Sequence, residues 1–324
     1  MKAVEYTTYG PPEVLKLKEV SIPEPSVNEV LIKVKATSVT STEAIFRSGQ
    51  QVMARLYTGL IKPRTRRLGE ELAGEVIQVG GHVSRFKVRD RVFGTAGTVF
   101  SANAEYLCLS EDEVITHMPD NMTFEEAASS CDGFLTALPF LRDYGDIKKN
   151  DHVLILGASG SIGSSAVQIS QYYGAHATAV CSGRNESLVR DLGADDVIDY
   201  THADFTQTDQ CYDIIFDAVG KFNYDQCKHL LKEDGKFLEV AMNANILFNS
   251  MITSVKGQRK AIFAATGLRP PAERLKDLEL LKEMLEGGII KPVIDSIYAL
   301  DEIVDAHRYV EKGHKRGNVA IAVA

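Results

Sequence analysis

The sequence predicts an α/β protein with a β-rich part followed by a doubly wound parallel sheet of six strands. Three observations carry this expectation. Val153-Leu154-Ile155-Leu156 is a short, wholly apolar run, the pattern of a strand buried on both faces of a parallel sheet. Gly157, Gly160 and Gly163 follow it, and the period then turns helical through Ile162, Ala166, Ile169 and Tyr173, with Gly174 as the stop. From there to residue 265 short apolar runs alternate with intervals of helical length, whereas before about residue 120 the strands are short and separated by turn residues.

Taken in order, Met1–Thr7 reads as a strand and Gly10-Pro11-Pro12 as a turn. Val14–Val20 alternates apolar with charged residues, which predicts a half-buried strand, and Val30–Ala36 repeats the pattern after Pro23 and Pro25. Glu43–Phe46 is at most a short helix closed by Gly49. Residues 50–67 carry no clear period and are expected to form a variable loop near a substrate site. Leu72–Val79, Arg91–Phe93 and Tyr106–Leu109 complete a set of strands suited to a small antiparallel barrel. Thr123-Phe124-Glu125-Glu126 is a capping box that opens a helix, and a second helix runs to about Arg142. The six parallel strands are placed at Val153–Leu156, His176–Val180, Asp196–Ile198, Tyr212–Asp217, Lys236–Val240 and Lys260–Ala265. Pro270-Pro271 ends the sheet, Glu273–Glu286 is a helix with Leu275, Leu278, Leu281 and Leu285 on one face, and a strand–helix–strand unit runs to Val323.

Composition narrows the function. With 324 residues the chain can bury two cores, and its net charge of −8 argues against a nucleic-acid partner. The longest basic run, Lys62-Pro63-Arg64-Thr65-Arg66-Arg67, reads as a solvated loop, with contact to an anionic group as the alternative. MKAVEYTTYG lacks an apolar leader and no stretch of about 18 apolar residues occurs, so no passage through or into a membrane is expected. Five cysteines without a C-x-x-C spacing predict a reducing, cytoplasmic setting without disulfides. The eight histidines form no metal-ligand spacing.

The chemistry begins at the glycine turn. Ala158-Ser159-Gly160-Ser161-Ile162-Gly163 reads as G-x-G-x-x-G with alanine in the first glycine place. Such a turn serves either close packing alone or a pyrophosphate, which a helix N-terminus attracts through its unpaired N–H groups and partial positive charge. The following strand favours the pyrophosphate, because it ends where a ribose-binding acid belongs. No acid stands there. Cys181-Ser182-Gly183-Arg184 occupies the place, and the first carboxylate is Glu186, on the next helix. A serine and an arginine suit a 2′-phosphate that a carboxylate would repel, so NADPH is expected over NADH. The alternative is that Arg184 is a solvated surface residue.

The whole chain resembles the zinc-independent, medium-chain dehydrogenases/reductases of the quinone oxidoreductase type. The resemblance rests on GPPEVLKLKEV at 10–20, GEELAGEVIQVG at 69–80, DRVFG at 90–94 and LTAL at 135–138. It continues through GASGSIG at 157–163, LGADDVIDY at 192–200, FDAVG at 216–220 and KRGNV at 315–319. It implies a GroES-like catalytic domain of residues 1–122 and 266–324, and an NADP-binding Rossmann domain of residues 123–265, with NADPH in the cleft. It further implies that Ala158, Ser159, Gly160, Ser161, Ile162 and Gly163 hold the pyrophosphate, and that Ser182, Arg184 and Tyr200 surround the 2′-phosphate. Val219 and Gly220 would lie near the adenosine side and Asn318 near the nicotinamide end. Tyr200 also reads as a half-buried tyrosine at a strand end.

The departures from the zinc-dependent relatives bear on mechanism. Those relatives carry Gly-His-Glu where this chain has Gly69-Glu70-Glu71. Their cysteine ligands fall near Val39 and near Asp132, with Cys131 one position out of register, and GTAGTVFSAN at 94–103 replaces their four-cysteine loop. Neither zinc site is expected. Glu70 and Glu71 would point to opposite faces if a strand begins there. Many quinone-reductase relatives also have Asn near the place of Thr40.

Three functions follow as expectations. The first is reduction of a quinone or an α,β-unsaturated carbonyl by NADPH, in which the protein supplies orientation and donors to the substrate oxygen. The catalytic candidates for that role are hydroxyls, Thr40, Tyr57 and Thr136, with Ser41 beside them, and water can supply the final proton. The second is a zinc-free alcohol or aldehyde oxidoreductase, and the third an NADPH-binding protein without turnover. A homodimer is expected, joined through the last strand of the sheet at Lys260–Ala265.

Overall fold

The apolar run at 153–156 lies fully buried inside a six-stranded parallel sheet, with a strand hydrogen-bonded to it on either side. The computed structural model describes residues 1–51, 55–56, 58–97, 100–256 and 258–323. These fall into two units. The first is Met1–Asp132 with Pro270–Glu286 and Pro292–Ala324, and the second is Gly133–Arg269 with Gly287–Lys291. The family resemblance implies seams at 122/123 and 265/266; the units change at 132/133, 269/270, 286/287 and 291/292.

The first unit opens with β1 (Lys2–Glu5), β2 (Lys16–Glu19), β3 (Glu29–Ser38), α1 (Ser41–Ser48) and β4 (Glu71–Val79). It continues with β5 (Arg91–Thr95), β6 (Tyr106–Ser110), β7 (Ile115–His117) and α2 (Phe124–Ala128). In the second unit lie most of α3 (Cys131–Pro139), then β8 (His152–Leu156), α4 (Ser161–Tyr172), β9 (His176–Cys181) and α5 (Glu186–Asp191). After them come β10 (Asp196–Asp199), β11 (Tyr212–Asp217), α6 (Tyr224–Cys227), β12 (Leu231–Glu239), α7 (Ala244–Lys256) and β13 (Lys260–Phe263). The chain then returns to the first unit with α8 (Pro271–Glu286), β14 (Ile294–Ala299), α9 (Ile303–Glu311) and β15 (Asn318–Ala322).

β3 organises the first unit. Its N-terminal half pairs with β6 and its C-terminal half with β15, while β4 runs along its other side. The order is β14-β15-β3-β4-β5-β7, antiparallel except for the parallel pair β14–β15. Two register shifts between β3 and β4, at Leu31/Ile32 and Val34/Ala36, bend the long strand. Its inner face packs with Leu72, Val76, Val92 and Ile321 in one core cluster. One expectation fails here. The strand expected to be half-buried at 14–20 is β2, exposed at all four of its positions, because it pairs with β1 in a separate two-stranded sheet that leaves Leu17 uncovered. α1 runs a full eight residues, because Thr40 caps its start and Gly49 takes the left-handed conformation at its end.

In the second unit the strand order is β10-β9-β8-β11-β12-β13, two halves wound outward from β8. The reversal point lies between β8 and β11, the place where open α/β sheets bind ligands. β12 starts at Leu231, earlier than expected. At the far end of the sheet β13 is an edge strand, and α7 beside it exposes Leu247, Phe248, Met251, Ile252 and Val255 at helical spacing.

Candidate functional site

The glycine turn is built from the strand outward. Gly157 follows β8 directly with φ +76°, a conformation open to glycine, and its N–H and that of Ala158 both donate to Val180 O near the end of β9. Gly160 is the N-cap of α4 and has no side chain to spend on capping. The N–H groups of Ser161, Ile162 and Gly163 therefore open the helix without intrahelical acceptors. Gly163 lets the helix close on the strand, since a Cβ there would stand 2.2 Å from Gly157 O. Ser161 Oγ is buried without a hydrogen-bond partner.

Beside this turn lies the loop after β9. Asn185 joins the two: its Nδ2 donates to Ser159 Oγ at 2.9 Å and to Ser182 Oγ at 3.2 Å. Asp199, at the end of β10, accepts the Gly183 N–H and hydrogen bonds from Thr201 and His202. The Thr201 hydrogen bonds, ahead of His202, hold its carboxyl well below the usual range. Arg184 is exposed, and Tyr200 is 52% exposed. Tyr200 lines a hollow of about 450 Å³ with Thr201, Asp204, Phe205 and Phe222.

A third turn follows β11. Asp217, fully buried, accepts the N–H groups of Val219 and Gly220 at 2.9 Å and of Phe222 at 3.0 Å. Val219 reaches Gly157, where an added Cβ would lie 2.9 Å from Val219 Cγ1. Ser159–Gly163, Ser182 and the Val219–Gly220 turn thus converge at the C-terminal ends of β8, β9 and β11. The open helix N-terminus, the close approach of helix and strand at Gly163 and the absence of a carboxylate from 182–184 suit the phosphates of a dinucleotide.

The first unit holds a separate cluster of buried carboxyl groups. Glu71, which begins β4, accepts from Ser38 Oγ and from the Asp132 N–H. Glu43 accepts from the Glu70 N–H at 3.0 Å and from Asn103 Nδ2 at 3.2 Å. Burial is the main cause that pushes Glu43 up to about 8, and it raises Glu70, Glu71 and Asp132 as well. Val39, at the place of a cysteine ligand, is buried in the apolar core, and Cys131 Sγ donates to Ala127 O. The Glu43 and Glu71 carboxylates are turned to hydrogen-bond donors, and among the described residues no group of three His, Cys, Asp or Glu side chains is placed to hold a metal ion.

Two of the three catalytic candidates lie among the described residues. Thr40 Oγ1 accepts the Glu43 N–H at 3.1 Å as the cap of α1. Thr136 is half-buried on α3, and Tyr57 lies outside the described residues. Asn318 begins β15 in the first unit, its Nδ2 donating to Val293 O at 3.2 Å.

Two family models match, an alcohol dehydrogenase GroES-like domain over residues 26–120 and a zinc-binding dehydrogenase domain over residues 192–321. The quinone oxidoreductase of Sus scrofa is 31% identical over 98% of this chain and 95% of its own length. The chain belongs to the quinone oxidoreductase-like, zinc-independent medium-chain dehydrogenases/reductases. The same family contains the solved quinone oxidoreductase of Coxiella burnetii, with a TM-score of 0.88, 31% identity, and coverage of 100% of this chain and 99% of that one. The 2-methylene-furan-3-one reductase of Solanum lycopersicum is 30% identical over 99% of this chain and 79% of its own.

Three side chains that hold the loops after β9, β10 and β11 are not singled out by the sequence. Asn185 carries no motif of its own in the sequence, and Asp199 stands there only as one acid of LGADDVIDY. Asp217 did leave a signal, an acid at the end of an apolar strand just before a glycine turn.

Proposed function

We propose that this protein is an NADPH-dependent oxidoreductase that reduces quinones or α,β-unsaturated carbonyls without a metal ion. The observation that carries the reading is the convergence of the Ser159–Gly163 turn with a β9 loop bearing Ser182 and Arg184 in place of a ribose-binding acid. In this reading the second unit is the cofactor domain and the first the catalytic domain. The α4 N-terminus, from Ala158 to Gly163, takes the pyrophosphate. Ser182, Arg184 and Tyr200 take the 2′-phosphate, Val219 and Gly220 the adenosine side, and Asn318 the nicotinamide end. Bound NADPH supplies a hydride.

The protein must then hold the substrate and stabilise negative charge on its oxygen. An enolate or hydroquinone anion is delocalised, so one or two hydrogen bonds suffice. The donors proposed are the hydroxyls of Thr40, Tyr57 and Thr136, and water provides the proton. A localised alkoxide is harder to stabilise, and zinc usually does it. The residues at the relatives' zinc-ligand places, Val39, Glu70 and Asp132, offer no thiolate or imidazole. The names of two relatives, a quinone oxidoreductase and a furanone reductase, support the same substrate class. A screen of NADPH oxidation against quinones, enones and aldehydes tests the reading, and oxidation with none of them would favour a binding protein.

The edge strand β13 and the exposed apolar face of α7 support a homodimer formed by a second copy of the chain. The five cysteines are free, which supports a reducing compartment such as the cytoplasm. No described helix is long and apolar enough to cross a membrane.

A further inference from the structure

Asn185 stands at the N-cap of α5, where an asparagine ordinarily accepts a backbone N–H of its own helix. It makes no such bond. Its side chain turns back to the glycine turn, 4% exposed, and donates one Nδ2 hydrogen to Ser159 Oγ and the other to Ser182 Oγ. Its Oδ1 is buried without a partner. The opposite amide orientation would leave two buried N–H donors orphaned instead of one carbonyl, and buried N–H groups are the less tolerated orphans.

A serine hydroxyl has one hydrogen to give and two lone pairs. With the amide donating to their oxygens, neither Ser159 nor Ser182 needs its hydrogen to hold Asn185. Among the described residues neither hydroxyl donates to a protein group, and both serines are half-buried beside the open helix N-terminus.

We infer that Asn185 is a positioning residue that locks both serine hydroxyls as donors, Ser159 toward the pyrophosphate and Ser182 toward the 2′-phosphate of the cofactor. The inference rests on the cofactor reading above and adds a coupling to it. One uncharged side chain sets the spacing and the donor polarity of two anion sites, so the 2′-phosphate is recognised in register with the pyrophosphate. An acid at 185 would draw both hydroxyl hydrogens inward and silence both sites.

The test is calorimetric titration of the whole apo-protein with NADPH, NADH and 2′,5′-ADP, for Ser159→Ala, Ser182→Ala, Asn185→Ala and the two double variants with Asn185→Ala. Ser182→Ala should weaken NADPH and 2′,5′-ADP about tenfold and NADH little, as the loss of one charge-assisted hydrogen bond. Ser159→Ala should weaken both dinucleotides. Asn185→Ala should reproduce both losses, and adding either serine change to it should cost little more. Losses that multiply in the double variants would overturn the coupling while leaving the cofactor site standing. Unchanged affinities in both single serine variants would overturn the site assignment, and the inference with it. If Asn185→Ala does not fold, Asn185→Ser, which can cap α5, carries the same cycle.

Discussion

Asp217 Oδ1 accepts the Gly220 N–H at 2.9 Å, and it accepts the Val219 N–H at the same distance. A fully buried carboxylate thus fixes the turn proposed to pass the adenosine side of the cofactor, with its second oxygen on the Phe222 N–H. Burial raises its pKa and these three N–H groups oppose the rise. Asp217→Ala should leave those donors unpaired and cost roughly 2–4 kcal/mol of stability. Denaturant unfolding checks the cost, and NADPH titration of the folded fraction should show weakened binding. Unchanged stability would mean that the turn is held by something else.

Arg184→Ala should weaken NADPH by about 1–3 kcal/mol and leave NADH nearly unchanged, since a lost guanidinium–phosphate contact affects only the phosphorylated cofactor. Comparing the two dissociation constants is sufficient. Equal losses would show that Arg184 does not read the 2′-phosphate.

Glu239, opposite Asp217 in the β11–β12 register, gives a pH dependence. Burial, with Asp217 second, raises it from 4.5 to about 7. In the unfolded chain the group ionises near its ordinary value, so between about 4.5 and 7 unfolding releases a proton and native stability falls as pH rises. Above that window the loss is complete. Glu239→Gln keeps an acceptor for Asn243 Nδ2 and removes the charge. It should be more stable than the parent at pH 8 by roughly 1–2 kcal/mol and differ little at pH 5. Parallel stability curves across this range would contradict the assignment.

Much of this fold is legible in the sequence, because the signals are local. The apolar run at 153–156, the three glycines and the Thr123 capping box each specify their own few residues, and the structure places them as read. Alternation at 14–20 misled because it reports which side chains share a face, not whether anything covers that face. The pairing of β15 with β3 joins residues nearly three hundred positions apart, and no period encodes it. The site divides in the same way. The Ser182–Arg184 loop declares itself by the acid it lacks, whereas Asn185 matters through Ser159, on a different turn, and only the fold brings the two together.

A homodimer should appear in light scattering at micromolar concentration as twice the chain mass. Met251→Asp, in the middle of the exposed α7 face, should shift it toward monomer, because a charge buried without a partner is costly at an interface. A parent protein that is monomeric under these conditions would remove the proposal.

The claim of metal-independent reduction is tested most directly by assaying chelator-treated protein with NADPH against an enone and a quinone, beside a simple alcohol with NADP. The account predicts turnover of the enone or the quinone that added zinc does not increase, with alcohol oxidation far slower. Dominant alcohol oxidation, or activity that returns only when zinc is restored, would contradict it.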